Sequence, residues 1–181
     1  MKQNNHWILI VLQVLAWILF VGVSIEAGGF IVNAIFALVN PDAVKHLYRQ
    51  VDLSALFNYD KGRFFTMYLV MSIVAMMRAT LFYMIILLLQ KKKLDLAQPF
   101  SNDIRRFLVN LSVLSFFIGL ISACGSHYAK WLLSQGVPMP DTESLRLGGA
   151  DVWIFMSVIL VVIAHVFRRG VELQSENELT V

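Results

Sequence analysis

The chain has 181 residues, of which 58% are hydrophobic, with a mean hydropathy of +0.69 and a formal net charge of +3. This composition is far more apolar than that of soluble proteins and predicts a membrane protein, with one domain's length of chain. The cations flank apolar segments, so we expect no direct nucleic acid binding. The single cysteine, Cys124, excludes an internal disulfide framework and a cysteine-rich metal site.

Four apolar segments predict four transmembrane helices, at residues 7–25, 64–89, 107–124 and 152–167. The first segment would be about 28 Å long as a helix, close to the ~30 Å thickness of the hydrocarbon core. A cleaved signal peptide is the alternative for this segment, because Lys2 precedes it. Its apolar run is longer than the roughly 7–15 residues of a signal peptide, which favours a membrane span.

The segment 26–63 between the first two spans predicts a small extracytoplasmic helical cap. Residues 27–39 are apolar but short for a span, and either prolong the first helix or lie on the membrane surface. Asn40, Pro41 and Asp42 are typical of a helix start, and apolar residues then recur at helical spacing up to Val51. A cap packed on the mouth of the helix bundle and a ligand-sensing cap are both consistent with this pattern.

The bridge 90–106 is the main orientation signal. It carries Lys91, Lys92, Lys93, Arg105 and Arg106. Lysine and arginine concentrate in short cytoplasmic loops, so the bridge, both termini and the tail 168–181 are predicted to be cytoplasmic. The three lysines are also candidates for contact with anionic lipid or with a partner.

The third span has a recognisable helix start and a face of small residues. Ser101 or Asn102 can cap the helix, and Asp103 lies in its first turn. Small side chains let a neighbouring helix approach closely. We therefore expect the face formed by Ser112, Ser115, Gly119 and Ser122 to pack inward.

Arg78, near the middle of the second span, is the strongest candidate for a functional residue. A charged side chain at this depth costs at least ~2.5–3.5 kcal/mol, so it should face the protein interior or a wet cavity. Glu26 and Asp151, at the outer ends of other spans, are the candidate charge partners. An anion or substrate site and a structural ion pair are the two interpretations.

Motifs for catalysis and cofactor binding were not found. The sequence contains no HExxH, GxSxG, P-loop or GxGxxG pattern. His165 has no second ligand at metal-binding spacing. We therefore expect no enzyme activity, no cofactor and no metal site.

The C-terminal tail carries a periodic pattern. If the last helix continues past the membrane, Phe167, Gly170, Val171 and Gln174 form one stripe, and Leu173, Glu176 and Asn177 form another. The acidic Glu172, Glu176 and Glu178 would then either fold back onto Lys91–Lys93 or offer a docking surface to a basic partner.

This tail, together with PFSNDIRRF and the span that follows it, resembles the family named domain of unknown function 2975. The resemblance lies in the pattern Phe167, Gly170, Leu173, Glu176, Leu179, Thr180 and Val181. It implies a small four-span protein of the bacterial inner membrane over essentially the whole chain, in many cases encoded beside a helix-turn-helix regulator of the Cro type.

Two hypotheses for function follow. The first is a non-enzymatic regulatory membrane protein that docks a cytosolic partner, such as the helix-turn-helix regulator, through Leu173, Glu176 and Leu179. The alternative is a small transporter, or a lipid- or anion-binding membrane protein, that uses Arg78 in the bundle interior.

Overall fold

A computed structural model describes residues 4–39, 51–90 and 101–178 of the chain. These residues form five α-helices and no strand: α1 (Asn4–Val39), α2 (Ser54–Tyr59), α3 (Lys61–Gln90), α4 (Asn102–Ser134) and α5 (Ala150–Glu178). All except α2 are long and apolar enough to cross a membrane. The predicted all-α membrane protein with four spanning helices is confirmed.

Each long helix extends beyond the span predicted from hydropathy. α1 continues without a break to Val39, so residues 27–39 prolong the first helix and do not lie separately on the membrane surface. Phe30 and Ala37 in this extension are buried. The predicted amphipathic helix after Asn40 lies outside the described residues, as do Lys91, Lys92, Lys93 and Leu179.

Both ends of α4 follow from the local sequence. At its start, the Ser101 hydroxyl accepts a hydrogen bond of 3.2 Å from the Ile104 backbone N–H, and Asp103 lies in the first turn, as predicted. At its end, Gly136 has a φ of 83°. The N–H groups of Gly136 and Val137 donate to the carbonyls of Leu133 and Leu132, at 3.0 and 3.2 Å. This is a Schellman motif, whose left-handed residue favours glycine.

The four long helices form a row. α1 packs along α3, α3 along α4, and α4 along α5, whereas α1 and α5 are not packed against each other. Gly119 sets the close approach of α4 and α5, because a Cβ atom there would lie 2.7 Å from Ile154 Cγ1 and 2.9 Å from the Ala150 carbonyl oxygen. The serines of the predicted small-residue face, Ser112, Ser115 and Ser122, are buried.

The two ends of the row differ. We call the end with α2 and residues 135–149 the cap end, and the end with Arg105, Arg106, Arg168 and Arg169 the basic end. The largest fully buried side chains concentrate at the cap end: Phe30, Leu53, Leu56, Phe64, Met67, Tyr68, Met71, Leu132, Leu145 and Leu147. Most of the protein's own core therefore lies at the cap end.

Aromatic rings also hold a cation at the cap end. The Arg63 guanidinium carbon, at the start of α3, lies 4.8 Å from the Trp131 ring centroid and 5.5 Å from the Tyr59 ring centroid. The Trp131 ring in turn stacks on the Tyr128 ring. Such cation–π contacts tie α2 and the first turn of α3 to the last turns of α4.

Candidate functional site

Three charged side chains from distant parts of the chain meet where the cap end joins the membrane-spanning part. α1 supplies Glu26, α3 supplies Arg78, and the connection between α4 and α5 supplies Arg146. Arg78 lies twelve residues before Gln90, which is about 18 Å along the helix axis. Helical side chains lean toward the N-terminus of their helix, so the guanidinium of Arg78 extends further toward the cap end.

Glu26 and Arg146 form a direct ion pair. The Arg146 Nε atom lies 2.7 Å from Glu26 Oε1. Glu26 is buried, and a buried carboxylate is stable only when it is paired. The Arg146 side chain remains 45% exposed. The pair therefore runs from the interior to the protein surface.

The connection between α4 and α5 is built to hold Arg146 over α1. Its neighbours Leu145 and Leu147 are completely buried, and the Ser126 hydroxyl donates a hydrogen bond of 2.9 Å to the Leu147 carbonyl. Arg146 itself has a φ of 57°, the only positive φ of a non-glycine residue in the part of the chain that the structure describes. Such a conformation costs on the order of 1–3 kcal/mol. The two anchoring leucines keep the chain in it.

Arg78 is the third charged side chain of the cluster. Glu26 and Arg146 are the charged groups whose fields act on it. Its guanidinium carbon lies 5.6 Å from the centroid of the Trp153 ring, in the first turns of α5. Its Nε atom is buried and has no hydrogen-bond partner among the described residues. The cluster thus contains two guanidinium groups around one carboxylate.

The structure brings together two of the three residues predicted for this site. Glu26 and Arg78 are neighbours, as the sequence analysis expected. Asp151 is exposed in the first turn of α5 and is not among the charged groups whose fields act on Arg78. The third charged residue of the cluster is instead Arg146, which was not predicted and which pairs with Glu26. The only sequence signal for Arg146 is its position between Leu145 and Leu147.

Polar side chains extend the site along the interface of α1 and α3. Asn33 lies two helical turns after Glu26 and is buried on the same face of α1. The Tyr68 hydroxyl of α3 lies beside the Asn33 side chain. The interface between these two helices therefore contains buried polar side chains beside its apolar core.

The second group of candidate residues lies on the tail, at the basic end. α5 continues as a helix past Arg168 and Arg169 to Glu178. The first predicted stripe, consisting of Phe167, Gly170, Val171 and Gln174, is half-buried. On the opposite stripe, Leu173 is 61% exposed and Glu176 is also exposed. The described part of the tail thus has one half-buried face and one exposed face.

Glu172 does not stand free on this tail. Its carboxylate lies 2.9 Å from Arg168 Nε and 3.6 Å from an Arg169 amino group. Arg105, at the start of α4, also acts on it electrostatically. The Glu172 carboxylate therefore lies within the electrostatic range of the start of α4. The predicted fold-back onto Lys91, Lys92 and Lys93 involves residues outside those described.

The candidate site at Arg78 consists of charged side chains, and the tail presents an exposed helix face. Among the described residues, no group of three or more His, Cys, Asp and Glu side chains is placed to hold a metal ion. The cluster at Arg78 can bind an anion because guanidinium groups present several N–H donors in a fixed plane.

Comparison with known proteins gives one match. A family model with the description "Protein of unknown function (DUF2975)" matches residues 43–181. No curated protein and no solved structure matches the chain.

Proposed function

Because the chain belongs to the DUF2975 family, whose description assigns no activity, we propose a function from its geometry: it is a non-enzymatic regulatory protein of the bacterial inner membrane. Both termini lie in the cytoplasm in this proposal. The tail helix docks a cytosolic partner, such as a helix-turn-helix transcription regulator.

The observation that carries this proposal is the exposure of Leu173 on the tail. Leu173 lies four residues past Arg169, about 6 Å along the helix, and arginines at a helix end are expected at the level of the lipid headgroups. A leucine that is 61% exposed is therefore presented to water. Helices of this kind bind in grooves through apolar residues three and four positions apart. Leu179 follows Glu176 at that spacing in the sequence.

The packed stripe explains why the exposed stripe is available. Phe167, Gly170, Val171 and Gln174 are half-buried, so this face of the helix is turned toward the protein and the face with Leu173 is turned away from it. A span alone does not require a tail with two distinct faces. The helix is thus presented in a fixed orientation, which lowers the entropy lost when a partner binds.

The test is recovery of a defined partner with the full-length protein in detergent. We expect a DNA-binding helix-turn-helix protein, identified by mass spectrometry, to bind the unmodified chain and to be lost from Leu173→Ser. Leu133→Ser is the matched control, because Leu133 is similarly exposed but lies at the cap end. If Leu173→Ser and a chain lacking residues 173–181 both recover the partner as well as the unmodified chain does, the proposal is contradicted.

The acidic residues allow a second test of how the partner binds. Replacement of Glu172, Glu176 and Glu178 by glutamine should weaken recovery mainly at low salt if the dock is electrostatic. Unchanged recovery at both low and high salt would leave the apolar contact through Leu173 as the basis of docking.

The proposed orientation has its own test. Single cysteines at Ser144 and Glu178, in a Cys124→Ser background, should be labelled from opposite sides of the membrane of intact cells. Ser144 is exposed at the cap end and should react with an impermeant reagent from outside. Labelling of residue 178 from outside would reverse the orientation and contradict docking of a cytosolic partner.

A second candidate function is the binding of a lipid or an anion at Arg78. The observation that favours it is the buried Nε atom of Arg78, which has no hydrogen-bond partner among the described residues. Transport, the other form of this hypothesis, remains a prediction from the sequence.

A further inference from the structure

We propose that Arg78 and Arg146 form a site for a phosphate oxyanion and that Glu26 acts as a built-in competitor for that site. The proposal rests on the second candidate function and specifies its ligand class and its regulation. It is independent of the tail, because the site lies at the opposite end of α5 from Leu173.

The first argument is the balance of charge. The Arg146 guanidinium is paired with the carboxylate of Glu26, and the Arg78 guanidinium lies within the electrostatic field of both groups. Asp151, the other acidic residue predicted here, is not among the groups that act on Arg78. The cluster therefore has an excess of one positive charge in a half-buried position, where a charge is stable only with an anionic partner.

The second argument is the type of donor. Both cations are arginines, and a guanidinium group matches the geometry of phosphate oxygens through two parallel hydrogen bonds. The Arg78 Nε–H is a buried donor without an acceptor among the described residues, and an unsatisfied buried donor costs about 1–3 kcal/mol. A phosphate oxygen would supply the missing acceptor.

The third argument is depth. Glu26 lies nineteen residues after Trp7, and Trp153 lies fifteen residues before Arg168, which correspond to about 28 Å and about 22 Å along the helices. The apolar core of a bilayer is about 30 Å thick. The cluster therefore lies near the cap-side boundary of that core. The phosphate groups of one leaflet lie just beyond this boundary, and soluble phosphate also reaches it.

The fourth argument is access. Glu26 is on α1 and Trp153 is on α5, and these two helices are not packed against each other. The Arg146 side chain is 45% exposed. The site is thus open at its Arg146 rim, toward water.

Glu26 is the competitor because it already holds one of the two arginines. Its Oε1 atom lies 2.7 Å from Arg146 Nε, where a phosphate oxygen would bind in its absence. A phosphate group must share Arg146 with this carboxylate or displace it. Removing the charge of Glu26 should therefore tighten phosphate binding, whereas a purely structural ion pair predicts no such gain.

The experiment measures ligand binding to the full-length protein in detergent by native mass spectrometry. The probes are phosphatidylglycerol and inorganic phosphate, with diacylglycerol as the matched lipid that lacks phosphate. We expect Arg78→Gln to weaken phosphate binding about tenfold, the value of one lost charge-assisted contact, and Glu26→Gln to tighten it by a similar factor. Arg63→Gln is the control, because Arg63 lies on the same helix and contacts aromatic rings outside the cluster.

Binding of phosphatidylglycerol alone would identify the ligand as a lipid headgroup, and binding of inorganic phosphate would identify a soluble ligand. Both results support the site if they depend on Arg78 and not on Arg63. Arg78-dependent binding that Glu26→Gln fails to tighten would overturn the competitor role and leave the second candidate function standing. Absence of Arg78-dependent binding of both probes would overturn the site itself.

Folding is monitored for every variant by its melting temperature. If Arg78→Gln does not fold, Arg78→Lys replaces it, since lysine keeps the charge but lacks the planar fork of donors. Arg78→Lys is then expected to bind phosphate several-fold more weakly than the unmodified chain. Equal affinity of Arg78→Lys and the unmodified chain, together with an unchanged affinity of Glu26→Gln, would overturn the proposal.

Discussion

The cap end and the basic end of this protein are stabilised by different interactions. At the cap end, side chains from α1, α2, α3, α4 and the connection to α5 bury one another, as in a water-soluble protein. Toward the basic end, Ile86 is among the few large side chains with complete burial, and most apolar residues of α1 and α5 face outward. The cap end is therefore stabilised by side chains that the protein itself buries, whereas the basic end is expected to be stabilised by contact of its helices with lipid.

The charges differ in the same way. At the cap end, Glu26 is buried and its ion pair with Arg146 ties the loop to α1. At the basic end, the ion pairs of Glu172 with Arg168 and Arg169 are exposed and lie within one helix, and such pairs contribute about 0–1 kcal/mol each. Substitutions should therefore affect stability at the cap end and partner binding at the basic end.

The largest expected effect is the removal of a core side chain at the cap end. Leu145→Ala should lower the free energy of unfolding by about 2–5 kcal/mol, because it leaves a cavity at a completely buried position. Leu160→Ala, at a buried position nearer the middle of α5, should cost clearly less, since helices within the membrane have no water-driven attraction for each other. Denaturant unfolding in detergent micelles measures both losses. Equal losses would mean that the two ends do not differ in this way.

A single methyl group tests the row of helices where α4 and α5 touch. Gly119→Ala should lower the free energy of unfolding by about 1–3 kcal/mol, because the new Cβ atom would meet Ile154 and the Ala150 carbonyl. Gly22→Ala is the matched control, as no atom lies within 4 Å of its Cβ position. It should raise helix stability by roughly 0.5–1 kcal/mol. Thermal unfolding that shifts both variants in the same direction would argue against the close α4–α5 contact.

The smallest expected effect is on how the stability of the loop that carries Arg146 depends on pH. The Ser144 hydroxyl and backbone N–H both donate to the Asp141 carboxylate, which lowers the pKa of Asp141. A lowered pKa in the folded state stabilises the loop above the ordinary value of about 4, and this stabilisation is lost as the pH falls through the folded pKa. Hydrogen-exchange protection of the Leu147 amide should therefore decline below pH ~4.

Asp141→Asn should remove this decline, whereas Asp151→Asn, at another exposed aspartate of the cap end, should retain it. A decline of the same size in both variants would assign the effect to a different group.

Much of the fold could be predicted from the sequence because hydropathy reports membrane spans directly. The exact limits of the helices could not be predicted in this way. In the sequence, Glu26 marks the end of the first apolar segment, since an isolated charge normally lies at the membrane boundary. Its partner Arg146 lies 120 residues further along the chain, and no local pattern connects the two. The helix therefore continues through a position where composition suggested a stop.

The two candidate sites were predictable to different degrees for the same reason. The stripes of the tail could be predicted because they depend on the helical period within one segment, and residues 167–176 lie in a continuous helix. The Arg78 cluster depends on contacts between three segments. Arg78 could be predicted because it is a charged residue near the middle of a span. Glu26 could be predicted as its partner because it lies at the outer end of the first predicted span. Arg146 was missed because its position depends on a loop anchored by Leu145 and Leu147.

The ion cluster also has a consequence for the biosynthesis of the protein. Translation proceeds from the N-terminus, so α1 with Glu26 leaves the ribosome before α3, and Arg146 is made after both. When the apolar segment that contains Arg78 enters the bilayer, a carboxylate is already available to reduce the cost of its charge. The order of the segments along the chain thus lets each newly made cation meet an existing anion.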